Sequence, residues 1–355
     1  MEQPRWIAVA CVGALVLAGC GSSSGSAAGG GTKAKTSATA SSTIRGSKAS
    51  RSAGCATTTG QVPVGRSVVK LRSGGRDRSY IRYVPKGLDP AKAAPLVLDL
   101  TAYSPASMEE SFSGFTKPDA KGVVKADEVG AVVVTPEPVN GKGLLTWNVS
   151  GTAGWSDDQR FVTDLLDDVG GAACIDPHRV LAMGFAIGGV MASTIACEQP
   201  HRIAVLATVS GLWDPPTCHP NRPTPVISFH GNGDHFLPFD GGVGDHVDQL
   251  SLSSETTTGL VDMTTRPGAL ASSQAWATRN GCTAKPIVTT IRPGVDQHRW
   301  SGCEHGADVV LDVIQGGSHT WPGSNGMGSY EALLGPTSHA IDATDAIWDF
   351  FEAHT

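Results

Sequence analysis

The hydrophobic residues of this chain fall mainly into short continuous runs, and segments with helical periodicity separate these runs. Continuous apolar runs of this length are typical of strands that are buried on both faces of a parallel sheet. They occur at residues 95–100, 130–135, 180–183, 203–209, 225–229 and 309–314. Helices are predicted at residues 122–128, 156–169 and 341–351, and a small-residue helix is predicted to begin near residue 188. This alternation predicts a doubly wound, mostly parallel α/β sheet, which an antiparallel pair at 66–70 and 79–84 opens.

The first residues lack this pattern and are interpreted as an export signal. Residues 1–19 resemble a lipoprotein signal peptide, because Arg5 precedes an apolar segment, 6–16, that is too short to span a bilayer. The segment Leu17-Ala18-Gly19-Cys20 is typical of a lipobox, so the mature chain is expected to begin at a lipidated Cys20. The alternative is an ordinary secretory signal in which Cys20 has no role.

A second composition change separates a tether from the folded part of the chain. Residues 21–54 are rich in Gly, Ser, Ala and Thr, which predicts a flexible tether with a reach of roughly 30 Å. The lipidated Cys20 and the tether together are assigned to residues 20–61. The cations of the tether either rest on anionic headgroups or are simply solvated. Residues 62–355 are expected to form one large α/β domain, tethered outside the bacterial cell membrane by lipid alone or secreted.

The charge of the predicted domain limits its partners. The whole chain carries 27 basic and 33 acidic residues. Removing Arg5 and Glu2 of the signal and the five tether cations leaves 21 basic and 32 acidic residues, a net charge near −11. Because nucleic-acid-binding domains carry a basic surface, no nucleic acid is expected as a partner. The sequence makes no prediction of the oligomeric state.

The segment around Ala186 has the organisation of a nucleophile elbow. An apolar strand, 180–183, leads into Gly184-Phe185-Ala186-Ile187-Gly188, and a small-residue helix follows. In a G-x-S-x-G elbow the middle residue is the catalytic serine, and the glycines allow the strand and the helix to approach closely. Here the middle residue is Ala186, so the expected architecture is present without its nucleophile.

Two later loops supply an acid and a base in the order typical of α/β-hydrolases. Asp234 follows the strand at 226–229, and His319 follows the strand at 309–314. Catalytic groups of open α/β sheets gather at the carboxyl ends of the strands. Each residue taken singly is more often an ordinary loop residue, but their order and placement favour a triad site.

Several segments, in order over about residues 62–353, resemble one family of hydrolases. They are Arg82-Tyr83-Val84-Pro85, Ala126-Asp127, Val134-Thr135-Pro136, Trp147-Asn148, Asp176-Pro177-His178-Arg179-Val180, Phe229-His230-Gly231, Gly241-Gly242 and His319-Thr320-Trp321-Pro322-Gly323. Together they look like the esterase/polyhydroxybutyrate depolymerase family, which includes feruloyl and acetylxylan esterases. The resemblance implies a secreted α/β-hydrolase with a Ser-Asp-His triad, in which Asp234 is the acid, His319 is the base and Ala186 stands at the serine position.

The oxyanion loop also departs from the pattern of that family. The family usually has Leu-His-Gly there, whereas this chain has Leu100-Thr101-Ala102-Tyr103. The oxyanion hole is expected to involve the backbone N–H of Ile187 together with Thr101 and Ala102. A hydroxyl of Thr101 or Ser104 is a substitute nucleophile only if it lies within hydrogen-bond reach of His319.

The remaining cysteines predict disulfides rather than a metal site. An even number of cysteines in an exported chain indicates that they are paired. Six remain here: Cys55, Cys174, Cys197, Cys218, Cys282 and Cys303. The pairing Cys282–Cys303 is favoured because it closes a short loop before a buried strand, and Cys197–Cys218 and Cys55–Cys174 are proposed for the rest. Cys218-His219 and Cys303-Glu304-His305 lack a second ligand pair at a known metal spacing, so no metal and no cofactor are expected.

Three functions remain open on the sequence alone. The first is an extracytoplasmic lipoprotein related to esterases that binds an ester or glycan-linked ligand with little turnover, because Ala186 offers no nucleophile. The second is an active esterase that uses a substitute nucleophile or water, and the third is an envelope structural or interaction protein. Trp321 and Trp147 are candidates for a ligand platform, although tryptophan more commonly packs in a core.

The lipobox generates a prediction about membrane attachment. Changing Cys20→Ala should release the protein from membranes, because acyl chains are its only expected apolar anchor. Cell fractionation with fatty-acid labelling measures this, and a mature wild-type protein that carries no labelled adduct would contradict it.

Overall fold

A ten-stranded sheet forms the centre of the structure and carries every loop discussed below. The structure, a computed structural model, describes residues 51–56, 62–102, 106, 110–119, 121–138, 146–149, 157–216, 218–246, 265–283 and 285–355. These residues belong to the unit Lys48–Thr355. The predicted signal peptide and Cys20 therefore lie outside the described residues. Among the helices that are described, none is long and apolar enough to cross a membrane.

The sheet has a parallel centre and antiparallel edges. In chain order the strands are β1 (Gly65–Ser73), β2 (Arg76–Val84), β3 (Ala94–Leu100), β4 (Val132–Pro136), β5 (Ile175–Phe185), β6 (Val205–Val209), β7 (Val226–Gly231), β8 (Ile287–Arg292), β9 (Val295–Trp300) and β10 (Val309–Ile314). Their spatial order is β1-β2-β4-β3-β5-β6-β7-β10-β9-β8. The strands from β4 to β10 in this order pair in parallel, and the hairpins β1–β2 and β8–β9 add antiparallel edges. This arrangement confirms the predicted mostly parallel α/β sheet.

Six α-helices among the described residues connect the strands or follow the last of them. They are α1 (Lys125–Val129), α2 (Asp158–Ala172), α3 (Ile187–Glu198), α4 (Ala269–Arg279), α5 (Glu331–Leu334) and α6 (Ala343–Ala353). Helix α2 buries Phe161, Val162, Leu165, Leu166 and Val169, which recur at the spacing of one helical face. It begins where the Asp157 carboxylate accepts a hydrogen bond from the Arg160 N–H at 2.9 Å, which satisfies a donor that the first turn leaves unpaired.

The central strands are buried because helices or loops cover both of their faces. Strands β3, β4, β6, β7 and β10 have only buried residues. Helix α3 is also buried along nearly its whole length, which its small residues permit. The predicted continuous apolar runs thus correspond to strands in the middle of the sheet, as parallel strands require.

The structure differs from the sequence predictions at the edges of the domain. The hairpin β8–β9 and helix α4 were not predicted, and helix α1 begins three residues later than expected. The segment Arg51–Ala56 is held against the domain, because Ser52 Oγ donates to the Ala173 carbonyl and accepts from the Ile175 N–H, each at 2.9 Å. The ordered domain therefore includes part of the range, 20–61, that was predicted to be a flexible tether.

Three disulfides connect the described cysteines, with the pairings expected from the sequence. Cys55–Cys174 closes a loop with a sequence separation of 119, whereas Cys197–Cys218 and Cys282–Cys303 each close one of 21. Cys218 and Cys303 are consequently not available as metal ligands beside His219 and His305. Three disulfides are typical of a protein that functions in an oxidising compartment outside the cytoplasm.

The different loop lengths predict different stabilities. Because disulfide stabilisation through the unfolded chain grows with loop length, removing Cys55–Cys174 should cost about 5 kcal/mol and removing Cys282–Cys303 about 3 kcal/mol. Urea unfolding of the double Ala variants of each pair measures both free energies. Equal losses, or a larger loss for Cys282–Cys303, would contradict the chain-entropy explanation.

Candidate active site

The elbow after strand β5 has the backbone conformation of a nucleophile turn. Ala186 has φ 51° and ψ −122°, and it connects the end of β5 directly to helix α3. Its N–H donates to the Val209 carbonyl at 2.9 Å, and its carbonyl accepts from the Gly189 N–H at 2.9 Å. A non-glycine residue with positive φ is strained by about 1–3 kcal/mol and persists only where its surroundings fix it. The side chain at the tip of this turn is a methyl group and offers no nucleophile.

Two glycines allow the elbow to form. A Cβ on Gly184 would overlap the backbone of Gly188, and a Cβ on Gly188 would overlap the carbonyl oxygens of Leu100 and Thr101. Strand β5, helix α3 and the end of β3 are therefore in direct backbone contact. This contact places the predicted oxyanion residue Thr101 beside the start of helix α3.

The acid loop and the histidine loop are joined by backbone contacts. A Cβ on Gly231, the last residue of β7, would overlap the carbonyl of Gly317. The Gly233 N–H donates to that same carbonyl at 3.0 Å, and Asn232 Oδ1 accepts from the Gly316 N–H at 2.6 Å. The loops after β7 and β10 are thus held together before any side chain of the site makes contact.

Asp234 and His319 form the predicted hydrogen-bonded pair. Asp234 Oδ2 lies 2.7 Å from His319 Nδ1, and both side chains are buried. Asp234 Oδ1 accepts hydrogen bonds from the N–H groups of Phe236 and Leu237, at 2.8 and 2.9 Å. Because an ionised carboxylate only accepts, Nδ1 of His319 carries the proton and Nε2 keeps the lone pair that a general base needs.

The environment of the pair keeps Asp234 charged. Burial opposes ionisation of this carboxyl, but the electrostatic attraction of the His319 ring and its hydrogen bond hold the pKa of Asp234 well below its usual range. The His319 ring contacts two phenylalanines, with centroid distances of 4.9 Å to Phe185 and 5.2 Å to Phe236. The orientation of this candidate base is therefore fixed by packing against the ring and by the carboxylate at Nδ1.

A second histidine beneath the pair is held neutral. His230 is fully buried at the end of β7, and its Nε2 donates to the Leu237 carbonyl at 2.8 Å. Burial lowers the pKa of His230 to about 4, although the nearby charge of Asp234 acts in the opposite direction. This neutral imidazole supports the turn that carries Asp234 and adds no positive charge to it.

Arg266 is a buried cation that the sequence reasoning did not single out. It is 2% exposed and donates to the carbonyls of Pro238, Gly242 and Pro267, at 2.6, 3.3 and 3.1 Å. Burial lowers the pKa of Arg266 to about 10, against the attraction of Asp234. Arg266 therefore fixes the segment after the acid and balances part of its charge; a lone arginine in a loop gives no sequence signal for such a role.

The predicted oxyanion residues lie at the end of β3, next to the elbow. Thr101 and Ala102 are buried, and the Thr101 carbonyl accepts a hydrogen bond from Trp147 Nε1 at 2.7 Å. Thr101 Oγ1 is buried and makes no hydrogen bond to any residue that the structure describes. Ile187 begins helix α3, where the first N–H groups have no partner within the helix. Ser104, the other hydroxyl considered as a substitute, lies outside the described residues.

The two tryptophans predicted to form a ligand platform pack inside the domain instead. Trp147 is 2% exposed and Trp321 is 1% exposed. Trp321 Nε1 donates to Thr344 Oγ1 at 3.0 Å, so both indole N–H groups are satisfied within the protein. Their role is to fix the oxyanion segment and the histidine loop, which corrects the expectation of direct ligand contact.

Sequence comparisons relate the chain to esterases. No family model matches it. It is 30% identical over 251 residues to feruloyl esterase B of Piromyces equi, an alignment that covers 68% of this chain and 42% of that protein. It is 29% identical over 285 residues to "Putative esterase NocK" of Nocardia uniformis subsp. tsuyamanensis, an alignment that covers 78% of this chain and 79% of that protein. The chain thus spans less than half the length of the first relative and about four fifths of the second.

Structural comparison identifies the fold. Acetyl xylan esterase from Aspergillus awamori superimposes with a TM-score of 0.50 at 12% sequence identity, covering 81% of this chain and 99% of that one. At this identity the likeness establishes the fold alone. The chain has the α/β-hydrolase fold and is related in sequence to carboxylic-ester hydrolases.

The buried neutral His230 generates a prediction for stability against pH. Its folded pKa of about 4 lies below the ordinary value of 6.5, so between these values the unfolded chain binds more protons. The contribution of neutral His230 to the free energy of unfolding is therefore fully present above pH 6.5. It falls by about 3 kcal/mol as the pH drops towards 4. We expect urea unfolding to show that His230→Asn removes this pH-dependent part of the stability.

The control is the exposed His178→Asn, whose stability should follow the wild type at every pH. Asp312 changes the stability with pH in the opposite direction, because burial raises its pKa to about 6. Since wild type, His230→Asn and His178→Asn all contain Asp312, its effect cancels in the comparison. Stability curves of wild type and His230→Asn that remain parallel from pH 4 to 7 would show that His230 does not titrate as described.

Proposed function

We propose that this protein is an extracytoplasmic relative of the carboxylic-ester hydrolases whose site binds ester or glycan-linked ligands with little turnover. The observation that carries this proposal is the methyl group of Ala186 at the tip of a complete elbow, in a domain where Asp234 and His319 remain hydrogen-bonded. The first half of a triad reaction needs an oxygen or sulfur at the elbow to form the acyl-enzyme, and Ala186 supplies neither. We propose Ala186 as a replacement of the nucleophile serine.

The retained strain at Ala186 supports a maintained binding site. Without a nucleophile, nothing in the reaction requires residue 186 to adopt a positive φ. The turn nevertheless keeps this conformation, which costs about 1–3 kcal/mol, and it keeps the Ile187 N–H at the start of helix α3. Such an N–H would donate a hydrogen bond to a carbonyl or carboxylate oxygen of a ligand.

The magnitude of the chemical loss supports low turnover. Removing the nucleophile of a serine hydrolase lowers kcat by about 10⁶, and the remaining site still accelerates the reaction roughly 10³–10⁴-fold over water. His319 keeps a lone pair at Nε2 and retains the means to activate a water molecule slowly. Ligand binding, rather than hydrolysis, is therefore the activity that this set of residues favours.

The proposed cellular location of the protein rests on the sequence of its N-terminal part, which lies outside the described residues. We propose lipid attachment at Cys20 and a tether that ends near Arg51, where the chain meets the domain. The disulfides are consistent with a protein outside the cytoplasm. A site on a short tether would meet ligands close to the membrane surface.

One observation favours active hydrolysis as a second candidate. Thr101 Oγ1 is buried beside the elbow without a hydrogen-bond partner among the described residues, and a buried hydroxyl without a partner is uncommon. It makes no hydrogen bond to His319 in this structure, so it would replace the missing serine only after moving within reach of His319 Nε2. Ester hydrolysis by wild type, Thr101→Val and Ser104→Ala distinguishes a substitute nucleophile from the proposed binding function.

Adding the missing oxygen tests the proposal directly. We expect wild-type protein to hydrolyse short acyl esters, such as p-nitrophenyl acetate, at or just above background. Ala186→Ser should raise kcat/KM by several orders of magnitude and permit labelling by a fluorophosphonate, because Asp234 and His319 are already aligned. The altered oxyanion segment at Thr101 and Ala102 limits this gain, since one lost oxyanion donor costs about 10²–10³ in kcat.

The matched control is the double variant Ala186→Ser/His319→Ala, which has the new oxygen without its base and should return to the wild-type rate. A folded Ala186→Ser protein that remains inert and unlabelled would contradict an intact site and favour the structural role. Strong wild-type hydrolysis that disappears in Thr101→Val or Ser104→Ala would instead establish a substitute nucleophile. Equilibrium dialysis of the wild type with methyl ferulate measures ligand binding itself.

A further inference from the structure

Three side chains beside the acid loop form a group of metal-binding type that the ester site does not use. One ligand-type atom from each of His235, Asp245 and His246 lies within 4.8 Å of the other two. His235 and Asp245 are exposed and His246 is partly buried, so solvent ions reach the group. None of the three belongs to the Asp234–His319 pair, although His235 directly follows Asp234.

Backbone hydrogen bonds bring these residues together. The Phe236 carbonyl accepts from the Gly244 N–H at 2.9 Å, and the His235 carbonyl accepts from the His246 N–H at 3.4 Å. A Cβ on Gly244 would overlap the His235 carbonyl, so the two segments approach this closely only because residue 244 is glycine. The pairing places the two imidazole rings face to face, with centroids 4.9 Å apart and planes inclined by 26°.

We propose that His235, Asp245 and His246 bind one divalent transition-metal ion of the zinc class. Two imidazole nitrogens and one carboxylate oxygen are ligands that suit Zn²⁺, Co²⁺ and Ni²⁺, whereas Ca²⁺ and Mg²⁺ prefer oxygen ligands alone. Three protein ligands leave one position of a tetrahedral ion for water or a small anion. The carboxylate of Asp245 supplies the negative charge that compensates part of the charge of the ion.

The separation of the ligand atoms is close to what such an ion needs. Metal–ligand bonds of about 2.0–2.2 Å in a tetrahedral site put ligand atoms roughly 3.3 Å apart. The ligand atoms of His235, Asp245 and His246 now lie up to 4.8 Å apart, so they have to move closer together to bind an ion. Rotation of these side chains about their χ angles is enough for this. The backbone pairing does not have to change.

One aromatic side chain, Phe236, connects the group of His235, Asp245 and His246 to His319 of the ester site. The Phe236 ring lies 5.8 Å from the His246 ring and 5.2 Å from the His319 ring, measured between centroids. An ion that clamps His235 to His246 would thus hold Phe236 against His319. The binding of the ion itself does not depend on the proposed ester function, and its test uses no substrate.

Cobalt titration of tag-free, chelator-treated full chain tests this proposal. We expect one equivalent of Co²⁺ to produce the strong visible absorption of a tetrahedral site and Zn²⁺ to displace it with the same stoichiometry. His235→Ala and His246→Ala should each weaken Zn²⁺ binding at least a hundredfold in equilibrium dialysis. Asp245→Asn, which keeps the shape of the side chain and removes its charge, should weaken Zn²⁺ binding at least tenfold.

The matched control is His178→Ala, which removes an exposed histidine far from this group in sequence and should leave Zn²⁺ binding unchanged. Circular dichroism in the absence of metal establishes that each variant is folded. If a histidine variant does not fold, Asp245→Asn and the cobalt spectrum of the wild type decide the question. Absence of a one-to-one cobalt spectrum, or Zn²⁺ binding that survives all three substitutions, would overturn the proposal.

Discussion

The close approach of peptide backbones at the carboxyl edge of the sheet is the constraint on which the site depends. Gly188 lets helix α3 begin against the carbonyl oxygens of Leu100 and Thr101, and Gly231 lets the loop after β7 lie against Gly317. A side chain at either position would push apart loops that carry the candidate catalytic groups. The parallel order of the strands brings these loops to one edge, and the glycines then set the distance between them.

The buried polar groups of the site depend on one another because water does not reach them. Asp234 keeps its charge through His319 and two backbone N–H groups, while Arg266 fixes the carbonyls of the following segment. A buried charge without such partners is strongly destabilising. The methyl group of Ala186 has no polar atom, so none of these hydrogen bonds depends on residue 186. The alignment of Asp234 and His319 is therefore maintained by their own partners and does not depend on the side chain at residue 186.

The sequence predicted those features that depend on local pattern and chain order. Central strands such as β3 and β10 were predictable because burial on both faces requires a continuous apolar run. The elbow was predictable because strand, glycine turn and helix are adjacent in sequence. The meeting of Asp234 and His319 was predictable because each follows a parallel strand and the carboxyl ends of parallel strands share one edge.

Features that depend on tertiary register were not predictable in the same way. Tryptophan more commonly packs in a core than in a cleft, but only the contacts of Trp147 with Thr101 and of Trp321 with Thr344 show that both pack inside. Strand β8 is exposed along its length, so no pattern of burial marked it. His235 and His246 are eleven positions apart and face each other only through the backbone pairing that Gly244 permits. Side chains brought together by such pairing leave no spacing signal in the sequence, unlike adjacent cysteines and histidines such as Cys218-His219.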